Sequence, residues 1–208
     1  MSAMRGQLGA YFATLGGLGG AIEASDARGA ALALDDAVAR AVALADATKR
    51  ERTRVMFVGN GGSAAIASHM ATDWMKNGGF AATAFNDGAA LTCLGNDLGF
   101  EQVFARQIQA HGREGDLLIA ISSSGNSPDI LAAVAAARAA RARVLTLSGF
   151  AADNRLRRGG DLNFWVPNGL YGFVEIAHLA ICHAILDLAM GWRAEGKTPV
   201  YATVEPAR

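Results

Sequence analysis

An α/β fold, a doubly wound five-stranded parallel sheet flanked by helices with a helical arm ahead of it, is predicted by three observations. Short apolar runs stop at glycine- or serine-rich turns. The two strongest of these turns open into stretches of helical periodicity. The runs are apolar at consecutive positions, the pattern of strands buried on both faces, which parallel sheets require. Such sheets bind ligands at the carboxyl ends of their strands, so function is sought in the turns.

Taken in order, Met1 to Ala24 is an apolar stretch broken by Gln7 and several glycines, and it reads as an amphipathic arm in preference to a signal peptide. After the turn-prone Ser25-Asp26-Ala27-Arg28-Gly29, a second helix is predicted from Ala30 to Arg52, with Leu32, Leu34, Val38, Val42 and Leu44 at mostly helical spacing. A strand over Arg54–Val58 stops at Gly59-Asn60-Gly61-Gly62, and helical periodicity resumes from Ser63 to Lys76. The same grammar recurs where Asp116–Ile121 runs into Ser122-Ser123-Ser124-Gly125-Asn126-Ser127-Pro128 and then into a helix over Asp129–Ala140, whose first turn tolerates Pro128. A third buried strand, Val144–Leu147, ends at Ser148-Gly149. Weaker strands are predicted at Ala82–Phe85 and Leu162–Val166, and a last helix at Tyr171–Trp192. Three segments follow: an arm over 1–52, a sheet domain over 53–193 and an extended or frayed tail over 194–208, with Pro199 and Pro206.

Composition excludes several functions. Hydrophobic residues make up 51% and charged residues 18% of the chain, which removes disorder, and 19 basic against 19 acidic residues leave no charge excess for a general nucleic-acid surface. Trp74, Trp165 and Trp192 are too scattered to form a stacking stripe. No uninterrupted run of about 18 apolar residues predicts a membrane span. Cys93 and Cys182 each lie in an apolar run, so buried thiols in a reducing, cytoplasmic setting are expected.

Chemistry concentrates at two places. Both strong turns lead into helix N-termini, whose free N–H groups and dipole favour an anion, and Ser122, Ser123, Ser124 and Ser127 add hydroxyl donors. Two such turns side by side would cradle a phosphate; either alone could simply make a turn and a cap. Neither loop matches a nucleotide-binding fingerprint, and no lysine is present in them. His69 and Asp73 share a helix face at i, i+4, while Glu175, His178 and His183 lie on the last helix. Imidazole and carboxylate together suit Zn²⁺, Mn²⁺, Fe²⁺ or Ni²⁺. The competing reading is a surface His-Asp pair and a core histidine at His178. Glu175 and His183 are separated by about 12 Å along the helix and about 80° around it, so they meet one centre only at full stretch or across subunits. His111 reads as a loop residue, and Asn86-Asp87-Gly88 and Gly95-Asn96-Asp97 as polar turns.

Four segments, Val55–Ser63, Gly95–Phe100, Gly112–Asp116 and Ile121–Ser127, occur in order and closely resemble the sugar isomerase (SIS) domain of phosphoheptose isomerases. The similarity runs from about Ala30 to Leu188. It implies a five-stranded parallel sheet, an arm used in oligomer packing, and a cytoplasmic homotetramer with active sites at subunit boundaries. The implied reaction is the metal-assisted conversion of sedoheptulose 7-phosphate to D-glycero-D-manno-heptose 7-phosphate through an enediol, a step toward surface-polysaccharide heptose. By the same resemblance Asp73 falls where the family has its base and His183 where it has its acid. His69, Asp73, Glu175 and His183 fall where it binds zinc. Asn60, Gly61, Ser63, Asn96, Asp97, Ser122, Ser123, Ser124, Ser127 and Glu175 correspond to substrate-binding positions.

This sequence departs from the family pattern at three points. Asp73 replaces a glutamate, Glu175 replaces a glutamine, and Gly172-Phe173 stands where an acidic-basic pair is common. The alternatives are a non-catalytic SIS module that binds sugar phosphates or a replication initiator protein, and an isomerase of another ketose phosphate.

Overall fold

A computed structural model describes residues 6–194, so nearly all of the predicted tail lies outside the described residues. At its centre are three strands, β3 (Arg54–Gly59), β5 (Leu117–Ser122) and β6 (Arg143–Ser148), buried at every position but the first of β3 and of β6. Val, Leu and Ile fill them because both faces are covered. β4 (Ala81–Ala84) and β7 (Leu162–Trp165) flank this trio, and all five run parallel, as the sequence predicts.

The sheet has seven strands, in the order β2-β1-β7-β6-β5-β3-β4. The additional pair, β1 (Glu23–Asp26) and β2 (Ala31–Leu32), forms an antiparallel hairpin whose β1 pairs antiparallel with β7. The turn predicted at Ser25–Gly29 is therefore the tip of a hairpin and not a link between helices. Asp26 Oδ1 accepts hydrogen bonds from the N–H groups of Arg28 and Ala30, both at 2.9 Å, and Gly29 takes φ +78°. An aspartate folding back on its own backbone competes with helix formation. The second helix consequently starts at Leu34, later than predicted.

Helices pack on both faces of the sheet. On one face lie α2 (Leu34–Glu51), α3 (Gly62–Lys76) and α7 (Tyr171–Ala189), with Ala41, Met70, Trp74 and Ile185 meeting Phe57, Ile119 and Leu147. On the other, α5 (Ala105–His111) and α6 (Pro128–Ala139) bring Ile108, Ile130 and Ala133 against Met56, Val58 and Leu118. Successive strand residues thus feed opposite layers, the two-residue period of a pleated strand. α1 (Gln7–Leu18) leans on α7 through Tyr11, which stacks on Phe173 at 4.3 Å.

Two segments differ from expectation. Gly95-Asn96-Asp97 lies in α4 (Gly88–Leu98), not in a turn, because Asp87 caps that helix by accepting from the Ala90 N–H at 2.9 Å. Cys93, expected inside, is exposed on the same helix, and His111 ends α5. Cys182 is buried as expected, and burial pushes its thiol up to about 12. α7 is long and apolar enough to cross a membrane by length and composition, yet Val174, Ile181, Cys182 and Leu186 are buried in the core, so its apolar face is occupied by the sheet.

The serine-rich loop after β5 is braced from behind. Gly149 N–H donates to Ser123 O at 3.0 Å, Leu156 N–H donates to Gly125 O at 2.8 Å, and the buried Asn154 side chain presses on the Cα of Gly125. Gly125 has φ +65°, where a side chain is strained, and a Cβ there would overlap Asn154. Gly125→Ala is expected to destabilise the protein by about 1–3 kcal/mol, read by urea unfolding; an unchanged unfolding midpoint would show that the brace does not constrain the loop.

A fully buried histidine ties α7 to the same strand ends. His178 Nε2–H donates to Ser148 O at 3.0 Å, while Nδ1 is buried with no partner among the described residues. Burial lowers its pKa from 6.5 to about 4, with the Ser148 bond opposing the shift. The folded state therefore prefers the neutral ring. The stability linked to this preference is complete above pH 6.5 and is lost as pH falls from 6.5 through 4, by about 3 kcal/mol. Urea midpoints measured across that range should show the loss in the native sequence and a flatter profile in His178→Gln.

Candidate active site

Gly59 stands opposite Ile121 across β3 and β5, so the loops that follow the two strands emerge side by side. Gly59 also lets α3 start at once, since a Cβ there would meet the Ser63 backbone at 2.6 Å. Between the loops is a cavity of about 230 Å³ lined by Asn60, Gly61, Gly62, Ser63, Ser122, Ser123, Ser124, Ser127, Tyr171 and Glu175. It is too small for a nucleotide-sized ligand but suits an anionic head group.

Hydroxyls dominate its lining. Ser122 Oγ lies 3.2 Å from Ser127 Oγ and 3.4 Å from Ser124 Oγ, and it also accepts from the Gly125 N–H. Ser123 Oγ is buried with no hydrogen-bond partner among the described residues, a donor waiting for an acceptor. α3 has no side-chain cap at its N-terminus, and the Glu175 carboxylate packs against Gly62 in its first turn. A carboxylate in that position is stabilised by the helix dipole. Asn60 Nδ2 donates to Asp129 Oδ2 at 2.7 Å, which joins the loop after β3 to the first turn of α6.

A second cluster lies farther along the seam between α3 and α7. His69 Nε2 is 3.5 Å and His183 Nδ1 is 4.0 Å from Asp73 Oδ2, and the two imidazole centroids are 5.4 Å apart. One ligand atom from each of the three residues lies within 4.8 Å of the others. Two ring nitrogens and a carboxylate oxygen form a donor set that fits Zn²⁺ and leaves coordination positions open. Asp73 is about one-fifth exposed and His69 about half, so the cluster is open to solvent on one side.

Not every residue singled out in the sequence joins these two groups. Within one chain Glu175 belongs to the hydroxyl cavity and stands apart from the His69–Asp73–His183 cluster, because eight helical residues separate it from His183 by about 12 Å. Asn96 and Asp97 sit on the exposed face of α4, where Asn96 Nδ2 donates to Asp97 Oδ1 at 2.8 Å, and neither lines the cavity. α4 buries none of its residues, so nothing in the same chain draws that face toward the loops.

Gly172-Phe173 has a packing reason. Phe173 stacks on Tyr11, and a Cβ at Gly172 would lie 2.9 Å from the Tyr11 hydroxyl, so this pair docks the arm on α7. Tyr171 lines the cavity and Asp129 holds the lining residue Asn60 from behind, and both escaped the sequence reading. Tyr171 is an aromatic at the start of a helix, and Asp129 follows a proline in a first turn; neither pattern by itself marks a ligand site.

Comparison with known proteins agrees with this geometry. The family model described as "SIS domain" matches residues 27–149. The phosphoheptose isomerase of Chlorobium phaeovibrioides is 43% identical over 145 residues, covering 65% of this chain and 67% of that protein. That of Rhodospirillum rubrum is 40% identical over 143 residues, covering 65% and 74%. The solved phosphoheptose isomerase from Neisseria gonorrhoeae superposes with a TM-score of 0.76 at 31% identity, over 90% of this chain and 98% of that one. A parallel sheet ending in a hydroxyl cradle, a family match over more than half the chain and near-complete superposition lead to one conclusion: the chain belongs to the SIS-domain family, among its phosphoheptose isomerases, and is a sugar-phosphate isomerase.

Proposed function

We propose that the enzyme converts sedoheptulose 7-phosphate to D-glycero-D-manno-heptose 7-phosphate, with a divalent metal assisting. The observation that carries this reading is the line of functional groups along α3. Gly62, His69 and Asp73 fall within about 20° of one helix face, and His69 lies about 10 Å beyond Gly62 along the axis. In an extended seven-carbon ketose phosphate, seven bonds separate phosphorus from the carbonyl carbon, a span of roughly 8–9 Å at about 1.2 Å per bond. With phosphate in the cradle this span brings the carbonyl to the His69 end of the cluster; Asp73 starts about 16 Å along the axis, and its carboxylate comes within 3.5 Å of His69. Each carbon removed shortens the span by roughly 1.2 Å.

In this arrangement the Ser122, Ser123, Ser124 and Ser127 hydroxyls, with Ser63, Asn60 and Gly61 opposite, hold the phosphate. Asp73 takes the proton from the carbon beside the carbonyl and returns it to the former carbonyl carbon after an enediol has formed. His183 carries the proton between the two oxygens. His69, Asp73 and His183 would hold Zn²⁺, which when bound supplies positive charge to polarise the carbonyl. Glu175, at the α3 N-terminus, accepts from sugar hydroxyls or reaches the metal of a neighbouring subunit.

Asn96 and Asp97 enter the site from a second copy of the chain in a homotetramer. The outward-facing apolar side chains Leu8, Phe12 and Ile176 support such association. An exposed free thiol at Cys93 suits the reducing cytoplasm, and the product suits surface-polysaccharide heptose synthesis.

NMR of purified, metal-analysed protein with sedoheptulose 7-phosphate should show the aldose signal growing, and a chelator should stop it; absence of turnover in metal-loaded protein would transfer the assignment to a ketose phosphate of another length. Ser124→Ala should raise KM with little change in kcat, whereas His183→Ala should lower kcat by about 100-fold or more. Native kinetics in both variants would remove the proposed site.

A further inference from the structure

We infer that Asp129 is a positioning residue of the isomerase, acting through Asn60 to set the shape and hydrogen-bonding pattern of the phosphate end of the cavity. This rests on the functional reading above for what the cavity holds, but the positioning itself rests on the side chains alone.

Asp129 is only 3% exposed and lies behind the cavity lining, an acid with no cationic partner among the described residues. Its partner is Asn60 on the opposite loop, at 2.7 Å. Burial pushes the Asp129 carboxyl above its ordinary range, and the Asn60 amide and the N–H groups of Asp129 and Ile130 hold it back. A free asparagine amide can turn over and exchange its donor for its acceptor. With Nδ2 committed to a carboxylate oxygen, which can only accept when ionised, that exchange is blocked. Oδ1 and the second N–H are then offered in fixed places. The bond also ties the loop after β3 to the start of α6.

The physical requirement is an acceptor at position 129, and an amide oxygen meets it as well as a carboxylate. Asp129→Asn should therefore behave like the native enzyme, with KM for sedoheptulose 7-phosphate within about twofold. Asp129→Ala should raise KM by about tenfold with kcat little changed, the size of one lost hydrogen bond. Asn60→Ala, which also loses its own contact to the phosphate, should raise KM at least as much, and the double variant should be no worse than Asn60→Ala alone. Native KM in Asp129→Ala, equal damage in Asp129→Asn, or multiplying effects in the double variant would each overturn the inference. Should Asp129→Ala not fold, Asp129→Ser, too short to reach Asn60, is read in its place.

A second readout does not depend on turnover. The Asn60 side-chain amide protons should exchange slowly with solvent in the native protein and in Asp129→Asn, and fast in Asp129→Ala; equal exchange in all three would overturn the positioning role. Failure of the native protein to turn over sedoheptulose 7-phosphate would overturn the substrate assignment, and the amide exchange alone would then decide the role of Asp129.

Discussion

Gly59 stands opposite Ile121, and Ser122 opposite Ser148, so three parallel strands stop at one edge of the sheet, and the cradle's Asn60 and serine groups lie at or just beyond the ends of β3 and β5. The ladder that fixes this alignment is dry: Val55 to Val58, Leu117 to Ile121 and Val144 to Leu147 are within about 1% of full burial. Slipping the register would leave buried backbone groups unpaired and send each apolar side chain into the wrong layer. Two loops too small to fold alone thereby acquire a fixed separation. Asn154, His178 and Asp129 then lock them from behind, from below and across the gap.

The second half of the site uses a different device. α3 and α7 both begin at that sheet edge and run along one face, so their seam carries groups at graded distances from the cradle. Glu175 meets the start of α3, and His183 meets Asp73 nearly three turns farther on. The seam is a scale on which substrate length can be read. If Asp73 is the base proposed above, an aspartate in place of glutamate retracts the carboxylate by about one C–C bond, roughly 1.5 Å, which is comparable to one carbon of sugar chain. On that proposal the residue at 73 would bear on which ketose phosphate fits, apart from any effect on proton transfer.

The central strands and both ligand-bearing turns were legible in the sequence because consecutive apolar residues ending in Gly-Asn-Gly-Gly or Ser-Ser-Ser-Gly have few structural solutions. The hairpin was not legible. Ala31–Leu32 is two residues long, and the pairing of β1 is decided by β7, far away in the chain. The grouping of His69, Asp73 and His183 needed the packing of two helices, although the i, i+4 spacing marked one half of it. Glu175 could be assigned to either group from the sequence, and only the contact with Gly62 separates the two within one chain. Asp129 looked like an ordinary first-turn acid, since its partner Asn60 lies 69 residues earlier.

The edge pairing of β1 carries a consequence for the order in which the molecule assembles. Asn163 Nδ2 donates to the carbonyl of Asp26 across 137 residues, and the hairpin has no other sheet to join. During synthesis the first thirty or so residues therefore emerge long before their docking strand exists, while β3 to β6 can already pair behind them. Contacts of such sequence separation form late and slowly. The apolar arm, with Leu8 and Phe12 outward even in the folded chain, waits longer still for α7, on which Tyr11 stacks. Apolar surface left open on the nascent chain is accordingly concentrated in the arm and hairpin until β7 and α7 are complete.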